Sequence, residues 1–205
     1  MRRFELRSFL TIGLVILTAM ATCLALARAQ AADETVRPGA GLYLKPPDGW
    51  TVLSQGAGDP KLPKKEDSGP HPLIVLGKYP ASNPGFNPKI RIFYQAIPAD
   101  SLQLAPRELI QLVLPKTQAT FSGMKLEGEV RELTISGLPA AEASWLYTLP
   151  VKSGLPLPLR ARVVLVRQGD HFFTLGMSAP RDGQDDVRPE FQTFLDRMVI
   201  GEAPH

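Results

Sequence analysis

The 205 residues contain a single cysteine, Cys23, and it lies inside the first apolar run. With that run removed on export, neither a disulfide framework nor a thiolate metal site can be built, so stability has to come from a packed core. Histidine is almost as scarce, at His71, His171 and the last position. Motif-level chemistry is missing as well. The absence of a Gly-x-Ser-x-Gly elbow, a His-Glu-x-x-His pair and a glycine-rich phosphate loop removes the usual hydrolase, zincin and nucleotide-binding signatures. A surplus of one charge is also lacking beyond the leader. Of the 23 basic and 20 acidic residues, 1–31 hold Arg2, Arg3, Arg7 and Arg28 against Glu5, which leaves 19 of each sign in the rest. A neutral chain gives no electrostatic reason for a nucleic-acid partner, and none is expected.

The leader is the first thing that is present. Residues 9–27 are uncharged and apolar, follow Arg2, Arg3 and Arg7, and precede Ala29-Gln30-Ala31, the small-x-small form of a signal-peptidase site. Residues 1–31 therefore read as a signal peptide, with the mature chain beginning near Ala32 and exported to the periplasm or the cell exterior. The run also reaches the roughly 18 residues that can span a bilayer, so an N-terminal anchor through 9–27 is the alternative, and the membrane is involved only through it. Met20-Ala21-Thr22-Cys23 is loosely similar to a lipoprotein site. Thr22 departs from the small residue usual there, and the apolar run continues through Leu26, so Cys23 reads as part of the signal core.

Residues 32–40 are polar and end at Pro38-Gly39, a flexible start, and a single domain is expected over 41–201. Leu42 and Leu44 alternate before the turn Pro46-Pro47-Asp48-Gly49, and 50–53 leave it as the second strand of a short hairpin. Gln55 to Pro72 reads as a solvated loop rich in proline and lysine. A strand over 73–79, a second loop over 80–88 carrying Phe86, and a strand over 89–97 come next. The last sets Ile90, Ile92 and Tyr94 against Arg91, Phe93 and Gln95.

From Gly128 to Ser178 four runs alternate with period two, each closed by its own turn. They are 129–136, a second with Ala141, Ala143, Trp145 and Tyr147 on one face, 160–167, and 171–178 with Phe173, Leu175 and Met177 in alternation. The third is apolar on both faces, Val163 and Leu165 against Val164 and Val166, which predicts a strand covered on two sides. Together they form an antiparallel meander. One helix is expected from Ala105, with Pro106 in its first turn, Leu109, Leu112, Val113, Thr117 and Thr120 at helical spacing, and Pro115 kinking or splitting it. A second is expected over 185–198, capped by Asp185 or Asp186 and closed by Gly201, with Val187, Phe191, Phe194, Leu195 and Met198 on one face. Strands in blocks around a helix define an α+β class, an antiparallel-rich sheet with helices packed on it.

Pro46-Pro47-Asp48-Gly49-Trp50 after a short strand, Ile135 to Ala140 (Ile-Ser-Gly-Leu-Pro-Ala), and Phe172 to Leu175 (Phe-Phe-Thr-Leu) before a last helix resemble PsbP-like proteins, a group that includes exported bacterial relatives and the Ran-binding Mog-type proteins. The likeness spans about Gly41 to Val199. It implies an α/β/α sandwich and accessory or assembly work through protein binding. No ion-binding motif of that family carries over, and no cofactor is expected.

Candidate site residues are correspondingly few. Asp170 and His171 at a turn could form an acid/base pair, although a solvated hairpin-end histidine is the favoured reading. Arg160 and Arg162 share a strand face and could meet an acidic partner, or make ordinary surface pairs. Trp50, with Trp145, Tyr147, Phe172 and Phe173, could line a cleft, or belong to the core. Glu127, Glu129 and Glu132 read as a solvated strand edge and not as a metal site. Two functions are carried forward: a non-catalytic accessory protein that binds an unknown protein partner at the envelope, and an envelope hydrolase or small-ligand carrier with a dispersed site around His171.

Overall fold

The computed structural model describes residues 35–56, 69–83, 85–121, 123–150, 155–181 and 186–201, so the expected cleavage or anchoring of the leader lies outside it. Among the described residues no helix is long and apolar enough to cross a membrane. The strands are β1 (Val36–Gly39), β2 (Leu42–Leu44), β3 (Thr51–Gln55), β4 (His71–Gly77), β5 (Lys89–Ala96), β6 (Lys125–Leu126), β7 (Arg131–Ile135), β8 (Leu138–Leu149), β9 (Leu157–Gln168), β10 (His171–Pro180) and β11 (Val199–Ile200). The helices are α1 (Pro106–Thr120) and α2 (Arg188–Arg197), with a short 3-10 turn at Ala99–Ser101.

Eight strands form one antiparallel sheet in the order β3-β4-β5-β10-β9-β8-β6, with β7 also pairing with β8. The expected meander is present as β7 to β10. Because side chains alternate, each long strand feeds two cores. Val164 and Val166 of β9 join Phe173, Leu175 and Met177 of β10 beneath Phe191, Phe194 and Leu195 of α2. Ala161 and Leu165 of β9 join Ala141, Ala143 and Trp145 of β8 beneath Leu109 and Ile110 of α1. The sheet therefore lies between two helices, as the apolar alternation of β9 on both faces requires.

Several expectations are corrected. β2 and β3 do not form a hairpin: β3 pairs with β4 at the sheet edge, and β2 lies between β1 and β11 in a separate three-stranded sheet. The expected flexible start thus contains a strand, because Val36–Gly39 find backbone partners in β2. Ile200 and Gly201 are held by the same sheet, where Gly201 N–H donates to Gly41 O at 3.0 Å. A side chain at Gly41, which has φ +72°, would meet that Gly201 carbonyl at 2.8 Å. Ser136 and Gly137 both take positive φ in the β7–β8 turn, and the Ser136 hydroxyl donates to Met198 O at 2.6 Å, locking this turn to the end of α2.

Pro115 does not split α1, which is helical from Pro106 to Thr120. The carbonyl that Pro115 leaves without a donor belongs to Gln111, an exposed residue, so water can satisfy it. Glu108 accepts from Ala105 N–H at 2.7 Å and closes the first turn. Leu112 and Val113 are exposed, so the buried face is Leu109 and Ile110 instead of the wider stripe expected. All five expected apolar positions of α2 are buried. Its N-cap is Val187, and Asp186 accepts from Arg188 N–H at 3.1 Å.

Candidate functional site

The fold brings together what the sequence separates by a hundred positions. His71 stands opposite Tyr94 across β4 and β5, and the His171 ring stacks on Tyr94 with centroids 4.9 Å apart and planes 3° from parallel. His171 is not solvated as expected: its side chain is 13% exposed. Its Nδ1 lies 2.7 Å from Asp170 Oδ1, and beside an ionised carboxylate that nitrogen is the donor. Nε2 is then left buried without a hydrogen-bond partner among the described residues. The pair has acid/base geometry, but neither cavity described below is lined by it.

Burial first, and then the Asp170 charge, push the Tyr94 phenol up to about 12. A raised folded-state value favours the neutral phenol, so its contribution is complete below pH 10 and is lost as pH rises from 10 towards 12. Ultraviolet titration should therefore show late phenolate ionisation that accompanies alkaline unfolding, and Tyr94→Phe should remove one tyrosine's amplitude from it. Ionisation of all four tyrosines near pH 10 in folded protein would contradict this.

The other sequence candidates have partners within the chain. Arg160 binds Glu127 through Nε at 2.7 Å and Nη2 at 2.9 Å, so Glu127 is an ion-pair partner and not a free strand edge. That bond holds the Arg160 guanidinium above its ordinary range. Arg160 also lines a hollow of about 130 Å³ with Arg181, Asp186 and Arg188, where the Arg188 contact lowers the Asp186 carboxyl to about 2. Arg162 binds Glu142 at 2.7 Å and Gln192 at 2.8 Å. Trp50 is buried, and its Nε1–H donates to Glu190 on α2 at 3.2 Å. The cleft aromatics divide between faces, Trp50 and Phe173 on the α2 side, Trp145 and Phe172 on the α1 side. They share no cleft.

The larger hollow, about 680 Å³, was not anticipated. Helix α1 packs over β8 and β9, so the same sheet face over β5 and β10 is not covered by it. The floor there is Lys89 and Arg91 of β5 and Ser178 of β10, with Lys89 and Ser178 in direct register. One wall is Ala81, Asn83 and 85–87, with Phe86. Asn87 pins this wall, accepting from Tyr79 N–H at 3.0 Å and donating to Tyr79 O at 2.6 Å. The opposite wall is Phe121, at the end of α1, against Tyr147 of β8, with centroids 4.9 Å apart. Leu149 extends this wall, and Leu53 closes the near edge, lying over Gly77, which has no side chain to exclude it.

Among the described residues no acid lines the hollow, and neither Lys89 nor Arg91 forms an ion pair with a described acid. The Tyr147 phenol is raised, chiefly by burial, while a hydrogen bond with Ser178 and the Arg91 charge oppose that. It stays protonated and able to donate. The usable signals in the sequence were Phe86, alone in a Pro/Asn/Gly loop, and Arg91 on the face of a strand otherwise apolar behind it.

No protein-family model and no curated protein matches the chain. Solved structures do match. LpqN of Mycobacterium tuberculosis, described as involved in cell envelope biogenesis, is 18% identical with a TM-score of 0.53, over 82% of this chain and 89% of that one. PA94 of Pseudomonas aeruginosa, a protein of unknown function, is 15% identical at 0.51, over 76% and 99%. Cyanobacterial PsbP (CyanoP) of Synechocystis is 14% identical at 0.50, over 79% and 88%. The fold is therefore PsbP-like, in agreement with the sequence resemblance.

Proposed function

We propose that the chain is an exported accessory protein of the cell envelope that works by holding a partner and not by turning over a substrate, with the hollow over β5 and β10 as its holding surface. The observation that carries this reading is the pair Lys89 and Arg91, two cations without a described counter-charge on the floor of an aromatic-walled hollow. Such cations gain most from a ligand that brings the missing charge, and the hollow falls within the roughly 300–1,000 Å³ usual for binding sites. The envelope and accessory parts of the reading draw on the likeness to LpqN and CyanoP, and export draws on the leader. Among the alternatives, a small-ligand carrier is favoured over a hydrolase, because the described lining of the hollow holds no acid and no histidine to act as a general base. The Asp170–His171 pair rests on the core tyrosine, outside the hollow.

The full chain with a C-terminal tag, expressed in its own host, is expected to retain an envelope component. Lys89→Glu/Arg91→Glu should reduce that retention at least tenfold without lowering the melting temperature, since each tenfold corresponds to about 1.4 kcal/mol, within the range of a charge-assisted contact. His171→Ala should retain the component. Loss of function in the histidine variant alone would move the activity to the Asp170–His171 pair.

A further inference from the structure

Resting on that reading of the hollow, we infer that its ligand is an amphiphile with one anionic head, a carboxylate or a phosphate monoester, set between Lys89 and Arg91, and an apolar body against Phe86, Phe121 and Leu149. The charged lining is gathered on β5, across the floor from Leu159 of β9 and the Phe121–Leu149 wall. Both cations and the Ser178 hydroxyl lie on the floor, and Tyr147 adds a phenolic O–H beside them. One rim is apolar, with Phe121 and Leu149 partly open to solvent, and the other sets Phe86 between Asn83 and Asn87.

Charge selects among ligand classes. A cationic head would face two like charges and no described acid. A neutral sugar would leave both cations uncompensated and the aromatic rim in water. A nucleic acid would need a track of cations for successive phosphates, and the hollow offers two. An anionic head answers both cations, the half-buried Lys89 and the exposed Arg91, through charge-assisted hydrogen bonds. An apolar chain then covers the rim that the fold leaves exposed. Asn87, next to Phe86, is already tied to Tyr79, which lowers the ordering cost of that wall on binding.

The test is calorimetric titration of the full chain with dodecanoate, dodecyl phosphate, dodecyl maltoside and dodecyltrimethylammonium, all below micelle formation, with acetate and inorganic phosphate as headgroup controls. Dodecanoate or dodecyl phosphate should bind at least tenfold more tightly than the neutral and cationic probes, and the preference between these two separates a fatty-acid-like source from a phosphorylated lipid. The headgroups alone should bind weakly. Raising salt should narrow the gap. Lys89→Glu/Arg91→Glu should abolish the anionic preference and admit dodecyltrimethylammonium, whereas His171→Ala should change nothing. Equal binding of all three head types, or none by the anionic ones, overturns the ligand class. If the charge-reversed variant still loses its envelope component in that case, the hollow stands as the site and only the amphiphile falls. If it keeps the component, both fall.

Discussion

Phe194→Ala should destabilise the protein by about 3 to 5 kcal/mol, the range for removing a buried phenylalanine. Phe194 is fully enclosed, with Phe191 and Leu195, against the sheet residues Val164, Val166 and Leu175. Deleting the ring loses its transfer free energy and leaves a cavity that a sheet and a helix held at both ends cannot close. Helix α2 is tied at its start through Trp50 and Glu190 and at its end through Ser136 and Met198. The expected fall in melting temperature is on the order of 10 °C for a domain of this size. Leu112→Ala on α1 is the control, since Leu112 is 61% exposed and should change stability by no more than about 0.5 kcal/mol. Equal melting curves for Phe194→Ala and the native chain would show that α2 is not docked on the sheet.

That helix was legible because its apolar spacing, Val187 to Met198, records a single buried face. The meander was legible for the same reason, and β9 declared its two-sided burial through Val163 to Val166. The three-stranded sheet was not. β1, β2 and β11 are too short to show a period, and β11 comes from the far end of the chain, so only pairing defines them. The hollow falls between these cases. The polar face of β5 could be read, but not that β5 lies inside the sheet between β4 and β10. Only that placement turns a polar strand face into a floor. The two histidines show the same gap, since sequence distance hid that Tyr94 lies beside both.

Glu142→Ala should cost about 3 kcal/mol, although Glu142 carried no signal in a strand read for its alanines. The carboxylate, 7% exposed, accepts from Arg162, whose side chain is 14% exposed, and from Arg131, which is 74% exposed. Arg162 continues to Gln192 on α2, which donates to Asp196 at 2.8 Å, and its guanidinium lies 5.5 Å from the Phe191 ring centroid. Removing the carboxylate leaves the Arg162 charge under the helix with its main counter-ion gone, and an uncompensated buried charge typically costs about 3 to 5 kcal/mol. The lower end applies because Arg162 keeps Gln192. Arg131→Ala removes a solvent-screened partner and should cost under about 1 kcal/mol. Replacing both buried members together, Glu142→Leu with Arg162→Met, should recover most of the loss, because neither desolvated charge then remains. Urea unfolding of the single and double variants measures the coupling directly. Equal costs for Glu142→Ala and Arg131→Ala, or no recovery in the double variant, would mean that the network is a surface feature and that the docking of α2 rests on its apolar face alone.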